Sequence, residues 1–300
     1  MPEYPDIQLY LHALRSRLLG QRLREVRIVG PNVLRTVTPR PDAFKEQTVV
    51  DLERLGKRIV IGFENELFLI LHLMIAGRLQ WRPVSDRVPG KPATAWMDFD
   101  AGRLILTEAS RRKRAGMWLL RGRDSLQAID PGGLEVVGSD TREFAEAVRR
   151  QNRILKRALT DPTILSGIGN AYSDEILHRA QLSPFRRTQA LSSDEMTRLH
   201  RSAVDVLVEW ERRLRDEHGA TWPGKITAFR EGMAVHGRHG QACPVCRAPV
   251  QRVVHGESEF NYCPRCQTEG KILADRSLSR LLRDNWPRTL EELEERGRST

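Results

Sequence analysis

The chain has 300 residues, 40% of them apolar, and its 49 Lys and Arg outnumber 39 Asp and Glu to give a formal net charge of +10. This size predicts two domains, and the charge favours a polyanionic partner, either nucleic acid or an anionic membrane. The longest apolar run, residues 67–76, is about half as long as a bilayer requires, which excludes a membrane-spanning helix. The opening residues lack a basic segment followed by an apolar one, so we expect a reducing cytoplasm.

The N-terminal part of the sequence predicts a leading helix and a β-sandwich. Four apolar residues recur at helical spacing: Ile7, Leu11, Leu14 and Leu18. From about residue 22 to residue 120, short β-branched or alternating runs are separated by turn residues, as is typical of an antiparallel sandwich. We therefore predict an α+β fold whose first domain spans residues 1–130.

The remainder predicts a helical domain followed by a small metal-binding module. Residues 131–140 are rich in turn formers and are interpreted as a linker, and the pattern over 141–235 is helical. Ser192 and Glu195 have the spacing of a capping box at the start of a long helix. The module is assigned to residues 236–270, and the charged tail 271–300 is expected to lie at the periphery.

Four cysteines give the most specific motif in the chain. Two CxxC pairs separated by sixteen residues comprise Cys243, Cys246, Cys263 and Cys266. This arrangement is typical of one structural Zn²⁺, because four thiolates fill a tetrahedral site and leave no open position for catalysis. The metal would hold the β-hairpin predicted at residues 250–262.

The segment from Gly167 to Tyr172 lies between two predicted helices and suits phosphate binding. Two glycines permit a close approach of the backbone, Asn170 offers an amide, and a helix N-terminus follows. Lys156 and the Arg186-Arg187 pair add positive charge nearby. An ordinary turn between helices remains an alternative interpretation.

The N-terminus offers a candidate nucleophile. Removal of Met1 would leave Pro2 with a free secondary amine whose pKa is close to neutrality, and such an amine can attack the C1′ carbon of a damaged nucleotide. Glu3 would protonate the sugar oxygen, and Lys57 could assist by proton transfer. Many proteins begin with Met-Pro for other reasons, so this pattern alone is weak.

Taken together, these motifs resemble the formamidopyrimidine-DNA glycosylase and endonuclease VIII superfamily over residues 1–270. The similar segments are the opening Met-Pro-Glu-Tyr-Pro-Asp, Gly56-Lys57, the turn from His72 to Gly77, the segment from Gly167 to Tyr172, and the approach to the cysteines from Val235 to Arg238. The resemblance implies a helix-two-turn-helix domain with a zinc-ribbon hairpin. It also implies DNA, damaged or abasic, as the partner of a monomer that has no small-molecule cofactor. The expected location is a bacterial-type cytoplasm, in association with the nucleoid.

The resemblance also assigns roles to individual residues. Pro2 becomes the nucleophile, Glu3 and Lys57 the proton donors, and Asn170 a phosphate ligand beside the lesion. Asp6 and Glu175 match acidic residues of the family. The implied activity is glycosylase excision of a damaged base followed by lyase cleavage of the abasic strand, with no membrane involved.

Three positions depart from the family's pattern for gripping DNA. Its intercalating methionine aligns with Ile75, or with Met74 if the turn is shifted by one residue. Its wedge phenylalanine aligns with Ala115, whereas Arg114 keeps an arginine. Its zinc-hairpin arginine aligns with Ser258, between two glutamates that should repel DNA. The basic run 111–114 could supply the contacts with the DNA backbone that the hairpin has lost, or it could be a solvated loop.

Two alternatives to the enzyme stay open at this point. A DNA-damage binding protein of the same fold with little or no turnover would explain the altered hairpin and wedge positions, but not the retained Pro2, Glu3 and Lys57. A zinc-ribbon regulator or RNA-binding factor would explain the charge and the cysteines alone. His72 is interpreted as a strand residue bonded within its turn rather than as a catalyst.

Overall fold

The computed structural model describes residues 1–88, 90–224, 226–255, 258–274 and 286–298. The chain forms two compact units, Met1–Pro131 with Glu209–Thr227, and Gly132–Val208 with Ala228–Thr300. The predicted five-part division stays a prediction, and one segment of it, residues 209–227, packs with the first unit instead of the helical one. Within the described residues, no helix combines the length and apolar character needed to cross a membrane.

The first unit begins with a helix, which is followed along the chain by two four-stranded antiparallel sheets, as predicted. Helix α1 spans Tyr4–Leu18. The strands are β1 (Leu23–Ile28), β2 (Val49–Leu55), β3 (Arg58–Phe63), β4 (Leu67–His72), β5 (Gly77–Arg82), β6 (Ala93–Phe99), β7 (Gly102–Glu108) and β8 (Gly116–Arg121). The sheet orders are β1-β6-β7-β5 and β2-β3-β4-β8, with every pair antiparallel. A short helix α2 (Arg123–Gln127) follows.

The part of the apolar run that lies in β4, residues 67–72, is explained by burial on both faces of the strand. Phe68 and Ile70 pack with Leu126 of α2 on one face, while Leu69 and Leu71 on the other face are fully buried. A strand buried on both faces reads as a continuous apolar run rather than an alternating one. The turn after β4 then carries the chain from one sheet to the other.

The second unit is helical, with one hairpin. Its elements are α3 (Thr141–Arg149), α4 (Leu155–Thr160), α5 (Asn170–Arg179), α6 (Ser193–His218), β9 (Gln251–His255), β10 (Ser258–Tyr262), α7 (Pro264–Thr268) and α8 (Leu290–Arg298). The predicted capping box precedes α6, because the Ser192 N–H donates to the Glu195 carboxylate at 2.9 Å and the Glu195 N–H donates to the Ser192 hydroxyl at 3.1 Å. Helix α6 contributes residues to both units.

Two segments pack more closely than the sequence predicts. In the predicted linker, Val136 is buried and the Leu134 N–H donates to the Ile164 carbonyl at 2.9 Å. In the predicted peripheral tail, Leu290 of α8 is buried against Val235 and Cys243. Sequence composition alone does not reveal either contact, because both depend on partners distant in the chain. Residues 275–285 of the tail lie outside the described part.

Candidate catalytic site and DNA interface

The start of the chain is held by the N-terminal cap of α1. Glu3 precedes the helix, and its N–H donates to the Asp6 carboxylate at 2.8 Å as half of a reciprocal capping box. Pro5 sits in the first turn, where its missing N–H costs nothing. Glu3 and Asp6 are both buried. The cap therefore fixes two carboxylates beside the first residues of the chain.

A tight turn between β2 and β3 presents Lys57. Leu55 pairs with Arg58, which leaves Gly56 and Lys57 as the two turn residues. Gly56 has a φ of 60°, a conformation that glycine tolerates and that such hairpin turns require at this position. Burial lowers the pKa of the Lys57 ammonium, and the Glu3 carboxylate acts in the opposite direction. Lys57 therefore gives up a proton more readily than an exposed lysine would.

The amino group of Met1 interacts electrostatically with two of the predicted catalytic residues, Glu3 and Lys57. Burial lowers the pKa of this amine, the charges of Glu3 and Asp6 raise it, and Arg78 and Lys57 lower it. While Met1 is attached, the Pro2 nitrogen is an amide and is not nucleophilic. The Met1 amine therefore stands in for the amine that Pro2 would carry after cleavage. Glu3 and Lys57 therefore act electrostatically on the amino end of the chain, next to Pro2, and the catalytic roles of all three residues stay predictions.

His72, at the end of β4, is neutral at physiological pH. Burial, together with the positive charges of Arg58 and Lys57, lowers its pKa to about 4. Its ring lies 6.4 Å from the ring of Trp118. A neutral histidine packed against an indole fits the interpretation of His72 as a strand residue rather than a proton donor.

We expect His72 to make the protein less stable as the pH falls below neutrality. The unfolded chain binds a proton near pH 6.5, whereas folded His72 resists it until about pH 4, so the free energy of unfolding should decrease through that window. Between pH 7 and pH 5 the loss should reach up to about 2 kcal/mol. Urea unfolding of the wild type and His72→Gln at both pH values measures it. An equal pH dependence in the two proteins would contradict the assignment.

The turn after β4 exposes one apolar side chain. Ile75 is 61% exposed, and the preceding Met74 has a φ of 51°. The turn needs Gly77, because a Cβ there would lie 2.2 Å from the Leu73 carbonyl oxygen. Of the two candidates for an inserted side chain, Ile75 is therefore the one displayed to solvent.

The basic run 111–114 belongs to a loop held by a buried carboxylate. Glu108 accepts hydrogen bonds from the Arg114 N–H at 2.9 Å and the Ala115 N–H at 3.2 Å. Arg114 is exposed, as a DNA contact requires, but Ala115 is only 1% exposed. The residue at the wedge position is thus part of the core. The four basic side chains themselves are exposed, as both a DNA contact and a solvated loop require.

Asn170 and Lys156 lie together, but only Asn170 is accessible. Asn170 is the first residue of α5, is partly exposed, and donates from Nδ2 to the Glu259 carbonyl at 2.9 Å. Lys156 is 1% exposed, and its Nζ binds the Asp174 carboxylate and the Asn170 carbonyl. A direct phosphate contact by Lys156 does not fit this burial. The lysine instead positions the start of α5.

The sequence analysis missed Asp174, which forms the centre of a buried polar network. Besides Lys156, its carboxylate accepts from His236 Nδ1 at 2.8 Å and from Asn261 Nδ2 at 3.2 Å. The next residue, Glu175, accepts the backbone N–H groups of 234, 235 and 236 at 2.6–2.9 Å. Helix α5 therefore holds both the hairpin strand β10 and the approach to the cysteines.

Replacing Asp174 with asparagine should destabilise the second unit. The substitution leaves the buried Lys156 ammonium without a counter-charge, which costs about 3–5 kcal/mol in buried pairs. The exposed Asp194→Asn, in the first turn of α6, is a matched control and should cost less than about 1 kcal/mol. Urea midpoints at pH 7 compare the two variants. Equal midpoints would show that the Lys156 charge is accommodated without Asp174.

The four cysteines are arranged to bind one metal ion. All four sulfur atoms lie within 4.8 Å of one another, with 3.9 Å between Cys243 and Cys266 and 3.3 Å between Cys246 and Cys263. Tetrahedral Zn²⁺ with thiolate ligands separates its sulfurs by about 3.8 Å. The donor set and spacing fit a closed structural zinc site.

The sequence predicts that the glutamates near the tip of the hairpin repel DNA. Strands β9 and β10 pair in antiparallel register, while Gly256, Glu257 and the side chain of Ser258 lie outside the described part. The Glu259 carboxylate lies 3.6 Å from the Arg252 guanidinium. The charge of this glutamate is therefore partly balanced within the hairpin, so it should repel DNA less than the sequence predicts.

Comparison with known proteins gives matches along the chain. Family models of the formamidopyrimidine-DNA glycosylase N-terminal domain, its H2TH domain, and a zinc finger found in FPG and IleRS match residues 1–116, 135–213 and 240–268. The zinc-finger match and the clustered sulfurs together show one structural zinc.

Individual relatives agree with these models. A formamidopyrimidine-DNA glycosylase of Laribacter hongkongensis is 32% identical over 89% of this chain and all of its own length. An uncharacterized formamidopyrimidine-DNA glycosylase-like protein of Mycobacterium tuberculosis is 40% identical over 55% of this chain and all of its own. The Lactococcus lactis enzyme bound to abasic-site DNA is similar in fold, with a TM-score of 0.78 at 23% identity over 89% of this chain and 99% of that one. The chain therefore belongs to the formamidopyrimidine-DNA glycosylase family.

Proposed function

We propose that this protein excises a damaged base from DNA and then cleaves the strand at the resulting abasic site. The observation that carries the proposal is the grouping of Glu3 and Lys57 around the amino end of the chain. The names of the relatives support the first activity. The second activity follows from the chemistry of an amine nucleophile.

The reaction begins at the Pro2 nitrogen after Met1 has been removed. Its lone pair forms a bond to C1′, the bond between C1′ and the base breaks with its electron pair leaving on the base, and the proton of the Pro2 nitrogen passes to the departing base. Glu3 protonates the sugar ring oxygen as the ring opens, and the product is an iminium joining Pro2 to C1′. The lowered pKa of Lys57 suits it to exchange protons during these steps.

Strand cleavage follows from the same iminium. The iminium acidifies the C2′ hydrogen, and loss of that proton expels the 3′ phosphate by β-elimination. Water then hydrolyses the iminium to regenerate the Pro2 amine. These steps require neither an oxidant nor a diffusible cofactor.

We assign the DNA contacts to residues that the structure exposes. Ile75 would fill the space vacated by the flipped nucleotide, because it is the displayed apolar residue of its turn. Arg114 would contact the backbone from the anchored loop, and Asn170 would bind phosphate at the start of α5. Lys156 would act through Asn170, whose carbonyl it binds.

A damage-binding protein with little turnover is the second candidate, and the burial of Ala115 favours it, because Ala115 cannot then insert beside Ile75 to hold the duplex open. The test uses single- and double-stranded oligonucleotides that each carry one oxidised base, with undamaged DNA as control. Release of a base from at least one substrate is the expected result. Tight binding to the lesion without release of any base would favour the second candidate.

A further inference from the structure

The sulfur atoms of the zinc site receive hydrogen bonds from different sources. A Zn²⁺ ion with four thiolates carries a net charge of −2, and N–H donors to the sulfurs reduce that excess. The Cys263 sulfur accepts the Cys266 backbone N–H at 3.4 Å, and the Cys246 sulfur has the Ala248 N–H. The Cys243 sulfur instead faces a side chain, with His178 Nε2 at 3.3 Å.

His178 reaches the metal site from helix α5, 65 positions away in the sequence. It is 6% exposed, and Cys243 is completely buried. Asn170, Asp174 and His178 recur at intervals of four residues, so they lie along one face of α5. The first two bind strand β10 through the Glu259 carbonyl and the Asn261 amide, and His178 continues this line to the metal site.

The chemistry of the sulfur fixes the direction of the contact. A zinc-bound thiolate has no hydrogen and can only accept, so the ring nitrogen that faces it must carry the proton. We propose that His178 donates its Nε2–H to the zinc-bound thiolate of Cys243 and thereby couples helix α5 to the metal site. The four cysteine sulfurs already complete the cluster without the imidazole, so His178 acts on a ligand rather than as one.

Two consequences follow from this hydrogen bond. It withdraws electron density from one thiolate, and it orients Cys243 for the metal before the ion binds. Removing a donor of this kind typically lowers metal affinity by about 10–100-fold. Helix α5 also carries Asn170, so the same contact would link metal retention to the position of the proposed phosphate ligand.

The test compares wild type with His178→Phe, which keeps a ring without the donor, and His178→Gln, which keeps an N–H donor. His200→Phe serves as control, because His200 is a buried histidine bonded to the Thr141 and Ser139 hydroxyls. The first readout is the rate of zinc release to a chromogenic chelator. The second is the sulfur-to-metal charge-transfer band of the Co²⁺-substituted proteins. Neither depends on DNA cleavage.

We expect His178→Phe to release zinc at least about tenfold faster and to shift the charge-transfer band to lower energy, because its thiolate is more electron-rich. His178→Gln should restore both readouts at least in part, and His200→Phe should match wild type. An unchanged band in His178→Phe would overturn the proposal, even with faster release, since packing alone would then explain the loss. A change in the number of sulfur ligands would also overturn it.

A measurement on the wild-type protein tests the same hydrogen bond even if the variants do not fold. In the ¹¹³Cd-substituted, ¹⁵N-labelled protein, the His178 ring should be protonated at Nε2 and show a scalar coupling between that proton and the metal through the Cys243 sulfur. Protonation at Nδ1 instead, or the absence of the coupling, would refute the hydrogen bond.

Discussion

Protein that retains Met1 should show no detectable cleavage of DNA at an abasic site. The proposed nucleophile is the Pro2 amine, and a peptide bond to Met1 converts that nitrogen into an amide whose lone pair is delocalised. Protein isolated with Met1 retained, verified by intact mass, should become active on treatment with methionine aminopeptidase. Incision of an oligonucleotide carrying one abasic site is the assay.

The chain itself offers a control for this prediction. Pro2→Gly also permits removal of Met1 and leaves a primary amine, which can still form an imine. It should retain partial cleavage, whereas the form with Met1 should have none. If both Met1-containing and processed protein incised the strand at the same rate, the nucleophile would have to be sought elsewhere, with Lys57 as the next amine of the site.

Glu3→Gln should separate the two proposed activities. Without a general acid, opening of the sugar ring during base excision should slow by about 10²–10⁴-fold. At a preformed abasic site the base is already absent and the sugar opens to an aldehyde unaided, so cleavage there should fall far less. Single-turnover rates of base release and of abasic-site cleavage, measured on otherwise identical duplexes, compare the two effects.

Glu66→Gln is the matched control, because Glu66 is an exposed glutamate of the same unit. It should leave both rates unchanged. Glutamine also has nearly the same shape as Glu3, so the start of α1 should be preserved. Equal losses of base release and abasic-site cleavage in Glu3→Gln would place this carboxylate in a step common to both reactions, or in the structure of the helix cap alone.

Local patterns were sufficient to predict the parts of the fold that depend on near neighbours. The helical spacing of Ile7 to Leu18 predicted α1, and the pair of CxxC motifs predicted the clustered sulfurs. The turn between β2 and β3 also has a local cause, because Gly56 adopts a positive φ there. In each of these, the physical cause lies within a short stretch of chain.

The contacts that organise the second unit could not be predicted from local sequence patterns. Asp174 meets Lys156, His236 and Asn261 across 18, 62 and 87 positions. Lysine is rarely buried, so a basic residue near a predicted phosphate site is naturally interpreted as a surface contact. The one sequence feature that pointed to these contacts was the four-residue spacing of Asn170, Asp174 and His178, which places them on one face of a helix.

The loop at residues 111–114 shows the same limitation. A run of four basic residues predicts a solvated segment or a DNA contact, but nothing local shows that Glu108 draws the backbone of Arg114 and Ala115 inward. Ala115 aligns with the family's wedge phenylalanine, and the local sequence does not show whether it is exposed. Its burial instead leaves Ile75 as the exposed apolar residue available for insertion.

Covalent trapping tests the central claim most directly. Processed protein is incubated with an oligonucleotide carrying one abasic site, the iminium is reduced with borohydride, and the adduct is mapped by peptide mass spectrometry. We predict an adduct at Pro2, in a yield that parallels strand cleavage. Intact DNA binding with no adduct, or an adduct confined to Lys57, would contradict the assignment of Pro2 as the nucleophile.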